Sequence, residues 1–186
     1  MWYVIQVKTG EENGIARKLK NQAIRAEVPI ENRPIRTGGA WTKKEYILFP
    51  GYVFLDMDFT ARNYYRVKEV PGVIRFLGDS KAPSTLSYLE AEWIRILSGN
   101  GEPLEPTLVR EDGSGGITVI SGVLKQLENR VLKWDKRSRK ATFEITICGE
   151  ARQAQLGIEV ESGGELQEVG SDASQDAAQP LLQDAT

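Results

Sequence analysis

The octapeptide LFPGYVFL, residues 48–55, is apolar and aromatic enough for a buried strand, yet Pro50 and Gly51 interrupt it. Proline removes a ladder donor and glycine weakens a strand interior, so the segment cannot run as one central strand. Residues 71–77, PGVIRFL, repeat the device. The fold must therefore place aromatic side chains around two Pro-Gly breaks, and most of the remaining chain can be read outward from them.

WYVIQVK (2–8) has the β-branched, aromatic composition of a strand. Thr9-Gly-Glu-Glu12 predicts a capping box, followed by a helix with Ile15, Leu19, Ala23 and Ala26 at helical spacing. Residues 33–48 read as an extended hairpin arm with Gly38-Gly39 at its tip, and 51–56 as the next strand. A short helix over 60–68, a turn and strand over 70–78 and a third helix capped by Ser84 or Ser87 follow. Leu86, Leu89, Trp93 and Ile96 are the expected stripe of that helix. The glycine- and proline-rich stretch 99–116 has linker composition. Beyond it ITVI, RVLKWD, KATFEITIC, ARQAQLG and IEV form five short strand candidates, which suggests a small barrel. The fold class expected is α+β, with a mixed α/β domain at 1–98, a linker at 99–116, a five-stranded β-barrel at 117–161 and an acidic tail at 162–186.

Composition excludes more than it assigns. With no histidine, the commonest general base and zinc ligand are absent. The single Cys148 sits in an alternating strand pattern and has no partner for a disulfide. Neither a Walker motif nor a complete dinucleotide fingerprint is present, so an enzyme, a cofactor and a metal are not expected. No run reaches the roughly 18–20 apolar residues of a membrane helix, and the start lacks a signal-peptide pattern, so a cytoplasmic protein with no membrane partner is expected. The net charge of −2 hides a split: residues 161–186 hold six acids and no base, and removing that −6 leaves +4 on residues 1–160. Such a tail cannot bury enough apolar surface to order itself.

The order and spacing of WYVIQVKTGEE, LFPGYVFL and VPGVIRFLG resemble the N-terminal domain of the NusG family of transcription elongation factors. The segment SGVLKQLENRVLKWDKRSRKATFEITICGEARQAQLGIEV is similar to their KOW module, an SH3-like barrel. The resemblance implies docking onto the clamp helices of the largest subunit of RNA polymerase, with Phe49, Pro50, Gly51 and Tyr52 at the docking cavity. On this reading the Pro-Gly pair bends the strand and turns Phe49 and Tyr52 to a rim, while Val53 and Phe54 are core.

The chain departs from general members in the KOW loop, where an aromatic followed by glycine is usual. Here KQLENR has Leu127 and Asn129, and Asn129 tolerates the left-handed backbone, so the turn can survive without the glycine. That puts coupling to Rho or the ribosome in doubt. Instead seven basic residues lie between Lys125 and Lys140, opposed only by Glu128 and Asp135. Lys133, Lys136, Arg137, Arg139 and Lys140 would project from one turn and suit the phosphates and bases of a structured RNA. The plainer reading is a solvated basic hairpin. Trp134 is expected to be half-buried in the barrel rather than a stacking platform. These departures make the chain most like LoaP, a specialised paralogue, and imply a monomeric processive antiterminator recruited by a nascent leader RNA hairpin. A general NusG factor and a stand-alone RNA-binding regulator are the alternatives. Arg33, Arg36, Lys43 and Lys44 would also let the arm touch upstream DNA, although a solvated loop is the plainer reading.

Overall fold

A computed structural model describes residues 1–79 and 82–161 of the chain. The acidic tail expected over 162–186 lies outside the described residues, apart from its neighbour Glu161, which pairs with Arg110.

The first half is built on a four-stranded antiparallel sheet in the order β2-β5-β1-β6, from β1 (Trp2–Val7), β2 (Arg25–Glu27), β5 (Tyr52–Asp56) and β6 (Val73–Phe76). β1 alternates its side chains between two apolar clusters. Tyr3, Ile5 and Val7 face α1 (Glu12–Lys20) and α2 (Ala61–Lys68), together with Ile15, Leu19 and Val67. Trp2 and Val4 join Phe54, Leu77 and the residues Ile94 and Leu97 of α3 (Tyr88–Leu97) on the other face.

The two Pro-Gly pairs are not bends within strands. Each is a tight turn beside the end of β1. The amide of Val7 donates to the Gly51 carbonyl (2.8 Å) and that of Lys8 to the Gly72 carbonyl (2.9 Å). Phe49-Pro50-Gly51-Tyr52 closes with the Tyr52 amide donating to the Phe49 carbonyl (3.2 Å), and Gly51 has φ +83°, as a type II turn requires at its third residue. Glu12 is buried and does not close a box with Thr9. Its carboxylate accepts from the Gly10 amide (2.8 Å) and, across the fold, from the Gly51 amide (2.7 Å). Helix α1 also stops earlier than its apolar spacing suggests. Ala23 takes φ +59°, with Ile24 donating to the Leu19 carbonyl and Ala23 to that of Lys20, the two bonds of a Schellman cap. Ala26 consequently lies in β2.

The arm is β3 (Ile30–Thr37) and β4 (Ala40–Ile47), a separate two-stranded sheet turning at Gly38 and Gly39, both with positive φ. Ser87 caps α3 in a capping box with Glu90, but the buried stripe is Glu90, Ala91, Ile94 and Leu97, about one position from the expected one; Leu89 is exposed.

The second half is a five-stranded sheet in the order β8-β7-β11-β10-β9, curved as a half-barrel and left open between β8 and β9. Its strands are β7 (Thr107–Glu111), β8 (Ile117–Ser121), β9 (Val131–Asp135), β10 (Lys140–Ile147) and β11 (Glu150–Val160). Two expectations change here. The linker composition of 99–116 conceals β7, which pairs with β8 and, in parallel, with β11. Even the part before it is pinned, since Leu104 exchanges bonds of 2.8 Å with Ile30 and Asn32 of β3. ARQAQLG and IEV are one strand, and Gly157 does not break it. An added Cβ there would lie 2.6 Å from Pro34 Cδ and 3.3 Å from Arg33 Cα, so glycine admits the arm against β11.

Gly157→Ala is therefore expected to lower the unfolding free energy by about 1–3 kcal/mol through overpacking. Gly14→Ala, inside α1 with nothing within 4 Å of its added Cβ, is expected to raise it by about 0.5–1 kcal/mol. Urea titrations of the two variants beside the parent chain check both signs.

Candidate functional site

The Pro-Gly turn and the basic turn come out differently from one another. Pro50 is exposed and Tyr52 half-buried, with the Arg152 guanidinium 5.5 Å from its ring centroid. Phe49 does not line an open rim. It is 5% exposed and meets Phe54 edge-on at 5.7 Å. The apolar cluster around it continues through Leu48 and Trp2 into Phe143, Ile145, Ile147, Ala154 and Leu156 of the half-barrel. Between Ile47, Leu48 and Pro50 on one side and Thr142, Gln153 and Ala154 on the other runs a groove of about 410 Å³. The half-barrel thus covers the face that the turn would present. Val53 and Phe54 are fully buried, as their place in the strand implies.

The seam between the halves is held by buried carboxylates as well as apolar contact. Glu31, 1% exposed, accepts from the Gly157 amide (2.6 Å) and from Arg33 Nε (2.6 Å). Arg33 also donates to the Gln155 carbonyl (3.3 Å). Glu90 accepts from its own cap at Ser87 (2.7 Å) and from the Gly149 amide of the β10–β11 turn (3.0 Å). Desolvation pushes the Glu31 carboxyl above the ordinary carboxylate range, and the charge of Arg33 and the Gly157 amide only partly offset it.

The basic turn lies between β9 and β10. The Asp135 carboxylate accepts from the Ser138 amide (2.9 Å), which holds its pKa below the usual range, and Arg139 takes φ +51° to complete the turn. Lys133, Lys136 and Arg137 are exposed, and Arg139 and Lys140 half-buried. Lys136 pairs with Glu111, so one of the five carries a neutralising partner. Trp134 is half-buried against the core. Asn129 does not take a left-handed backbone: Glu128–Arg130 is a 3₁₀ turn, and Leu127 is fully buried. Cys148 lies in the turn after β10, with φ +51°, rather than within a strand. Its thiol is pushed up to about 11, first by burial and then by Glu90 and Glu150, which leaves it protonated and unreactive at neutral pH. Among the described residues no group of three His, Cys, Asp or Glu could hold a metal ion.

The sequence pattern missed Glu31 and Gly157, whose roles exist only across the seam. It also missed Trp41, which meets Arg139 with the guanidinium carbon 4.0 Å from the ring centroid. A tryptophan beside the Gly38-Gly39 tip, followed by Thr42, Lys43 and Lys44, was the available signal.

Residues 1–95 match the family model described as transcription termination factor NusG. The chain is 33% identical over 167 residues to the transcription termination/antitermination protein NusG of Neisseria meningitidis serogroup B, covering 83% of this chain and 93% of that one. The chain belongs to the NusG family. The Helicobacter pylori NusG protein is 28% identical over 158 residues, covering 80% of this chain and 89% of its own. A structure described as the domain interaction in Thermotoga maritima NusG superposes with a TM-score of 0.52 at 23% identity, covering 84% of this chain and 93% of that chain, and so shares the fold. This NusG-type chain is accordingly a transcription termination/antitermination factor and not an enzyme. Among the described residues, no helix is long and apolar enough to cross a membrane.

Because the Glu31 pKa is raised in the folded state, that state binds the proton more tightly than the unfolded chain does. The stability this linkage contributes is present at low pH and is lost as the pH rises through the raised value. The stability difference between the parent and Glu31→Gln should fall with pH across that window and stay flat above it. Paired urea midpoints at a series of pH values measure it.

Proposed function

We propose that this NusG-family protein is a specialised, LoaP-like antitermination factor, acting as a cytoplasmic monomer that docks on RNA polymerase and reads a structured RNA. The observation that carries the reading is the pairing of a fully buried Leu127 with an exposed basic turn. General members use an aromatic in that loop for Rho or the ribosome. Here the equivalent side chain has no exposed surface to offer, while Lys133, Lys136, Arg137, Arg139 and Lys140 line a surface suited to phosphates. The half-barrel is read as a KOW module, built from 117–161 together with β7, and 1–98 as the polymerase-binding unit.

Docking on the clamp helices through Phe49, Pro50, Gly51 and Tyr52 requires the half-barrel to leave that face. Opening exposes a Phe49-centred apolar surface of the kind that helix-in-groove contacts use. A domain interaction is described for the Thermotoga maritima relative, and contact between the two halves is taken here as the resting arrangement. A general factor would present a bindable loop in place of buried Leu127, and a stand-alone RNA regulator would have no use for a coverable aromatic face.

Binding of the full chain to purified RNA polymerase tests the docking face. A seam-opening variant, Gly157→Val, is expected to bind at least about tenfold more tightly than the parent, the effect of removing a closed state that occupies most of the population. In that background Tyr52→Ala should reverse the gain. Unchanged affinity in both places docking elsewhere. RNA contact is tested by salt: about four phosphate contacts give a log–log slope of roughly −3. Arg137→Ala with Arg139→Ala should remove the preference for a leader hairpin over its unpaired sequence, about 2–4 kcal/mol for lost base-edge forks.

A further inference from the structure

We propose a second nucleic-acid element that spans the seam: a cleft between the arm and the basic turn that takes an unpaired RNA base and its flanking phosphates. It deepens the RNA reading above and rests on it. Arg36 and Trp41 are directly opposite in the β3–β4 register, so their side chains share one face of the arm. That face meets the basic turn, where Arg139 lies over the Trp41 ring at 4.0 Å. The cleft between them has a volume of about 410 Å³ and is lined by Arg36, Trp41, Arg137, Ser138 and Lys140 with Pro34 and Ile35.

Three features point to a ligand rather than to a packing contact alone. The lining carries three cations and no carboxylate. Among the described residues, neither Arg36 nor Arg137 has an acidic side chain within ion-pair distance, whereas Lys43 further along the arm is held by Glu105 at 2.7 Å and Glu159 at 3.7 Å. Trp41 keeps 37% of its surface exposed although Arg139 covers one face. An exposed tryptophan beside unpaired arginines is the combination that stacks a base and neutralises its neighbouring phosphates. A duplex keeps its base faces within its own stack, so the occupant is an unpaired base, as in the loop of a hairpin. The arm, whose basic residues alone pointed no further than a solvated loop or a DNA contact, thereby becomes half of one site with the turn.

The test uses the full chain and two fluorescein-labelled probes, an octauridylate RNA and an octathymidylate DNA, with anisotropy at low salt. Trp41→Ala is expected to raise the Kd for the RNA by about tenfold, the size of one lost base stack, and Trp41→Phe to stay near the parent value. Arg36→Ala, at an exposed position, should weaken binding and make the log–log salt slope shallower by about 0.7, one phosphate contact on a single strand. It carries the test should Trp41→Ala not fold. If Arg137→Ala weakens RNA binding while Trp41→Ala and Arg36→Ala do not, RNA sits on the half-barrel alone and the cleft is overturned. If the parent binds neither probe nor the leader hairpin, the RNA reading itself fails. Tighter binding of the DNA probe, with the same dependence on Trp41, overturns the assignment to RNA.

Discussion

A sheet that is apolar on both faces must be covered on both, and this requirement shapes the protein. β1 sends Tyr3, Ile5 and Val7 to one side and Trp2 and Val4 to the other, and all five are buried. Helices α1 and α2 cover the first side. The second has only α3, which is ten residues long, and the remaining area around Phe49, Phe54 and Leu77 is closed by the half-barrel. The hydrophobic effect is indifferent to which element supplies the cover. The half-barrel is therefore a lid over this face as well as a module with a surface of its own, and what Phe49 can touch depends on whether the lid is on.

Apolar contact alone would let the lid slide, because it has little directional preference. Direction comes from the polar groups in the seam. Glu31 and Glu90 each reach from the first half to a backbone amide of the second, Gly157 and Gly149 respectively. Burying a carboxylate is unfavourable unless its lone pairs are occupied, so these two contacts penalise any register but one. The raised pKa of Glu31 shows that the compensation is incomplete. A seam with one incompletely compensated carboxylate is a weaker closure than an all-apolar one of the same area, and that suits the opening that the docking proposal requires.

Local chemistry made much of this legible. The Gly38-Gly39 tip, the Ser87 cap, the strand after each Pro-Gly pair and the basic turn all follow from propensities acting within a few residues. What stayed hidden depends on distant partners. Gly157 looks like a strand end until Pro34 is seen against it. β7 reads as linker because its neighbours are proline, glycine and acids, although TLVRE itself gains a strand on each side. The family resemblance places Phe49 at a docking rim, and only the second half of the chain supplies the cover seen over it. The stripe of α3 was misplaced because Glu90 faces inward, which no hydrophobic pattern anticipates.

The two binding events proposed for this chain act on the same seam in opposite senses. A ligand held between Trp41 and the basic turn binds the closed arrangement and stabilises it in proportion to the logarithm of its concentration over its Kd. A partner that needs Phe49 binds only the open one. Such ligands weaken each other by the same factor, whichever binds first. RNA gripped by the cleft would then delay docking, and docking would release the unpaired base while leaving the exposed residues Lys133 and Arg137 on the half-barrel to keep the stem. Charge placement favours this division. The turn's exposed cations lie on the half-barrel and travel with it when the seam opens, whereas Arg36 and Trp41 stay behind with the sheet.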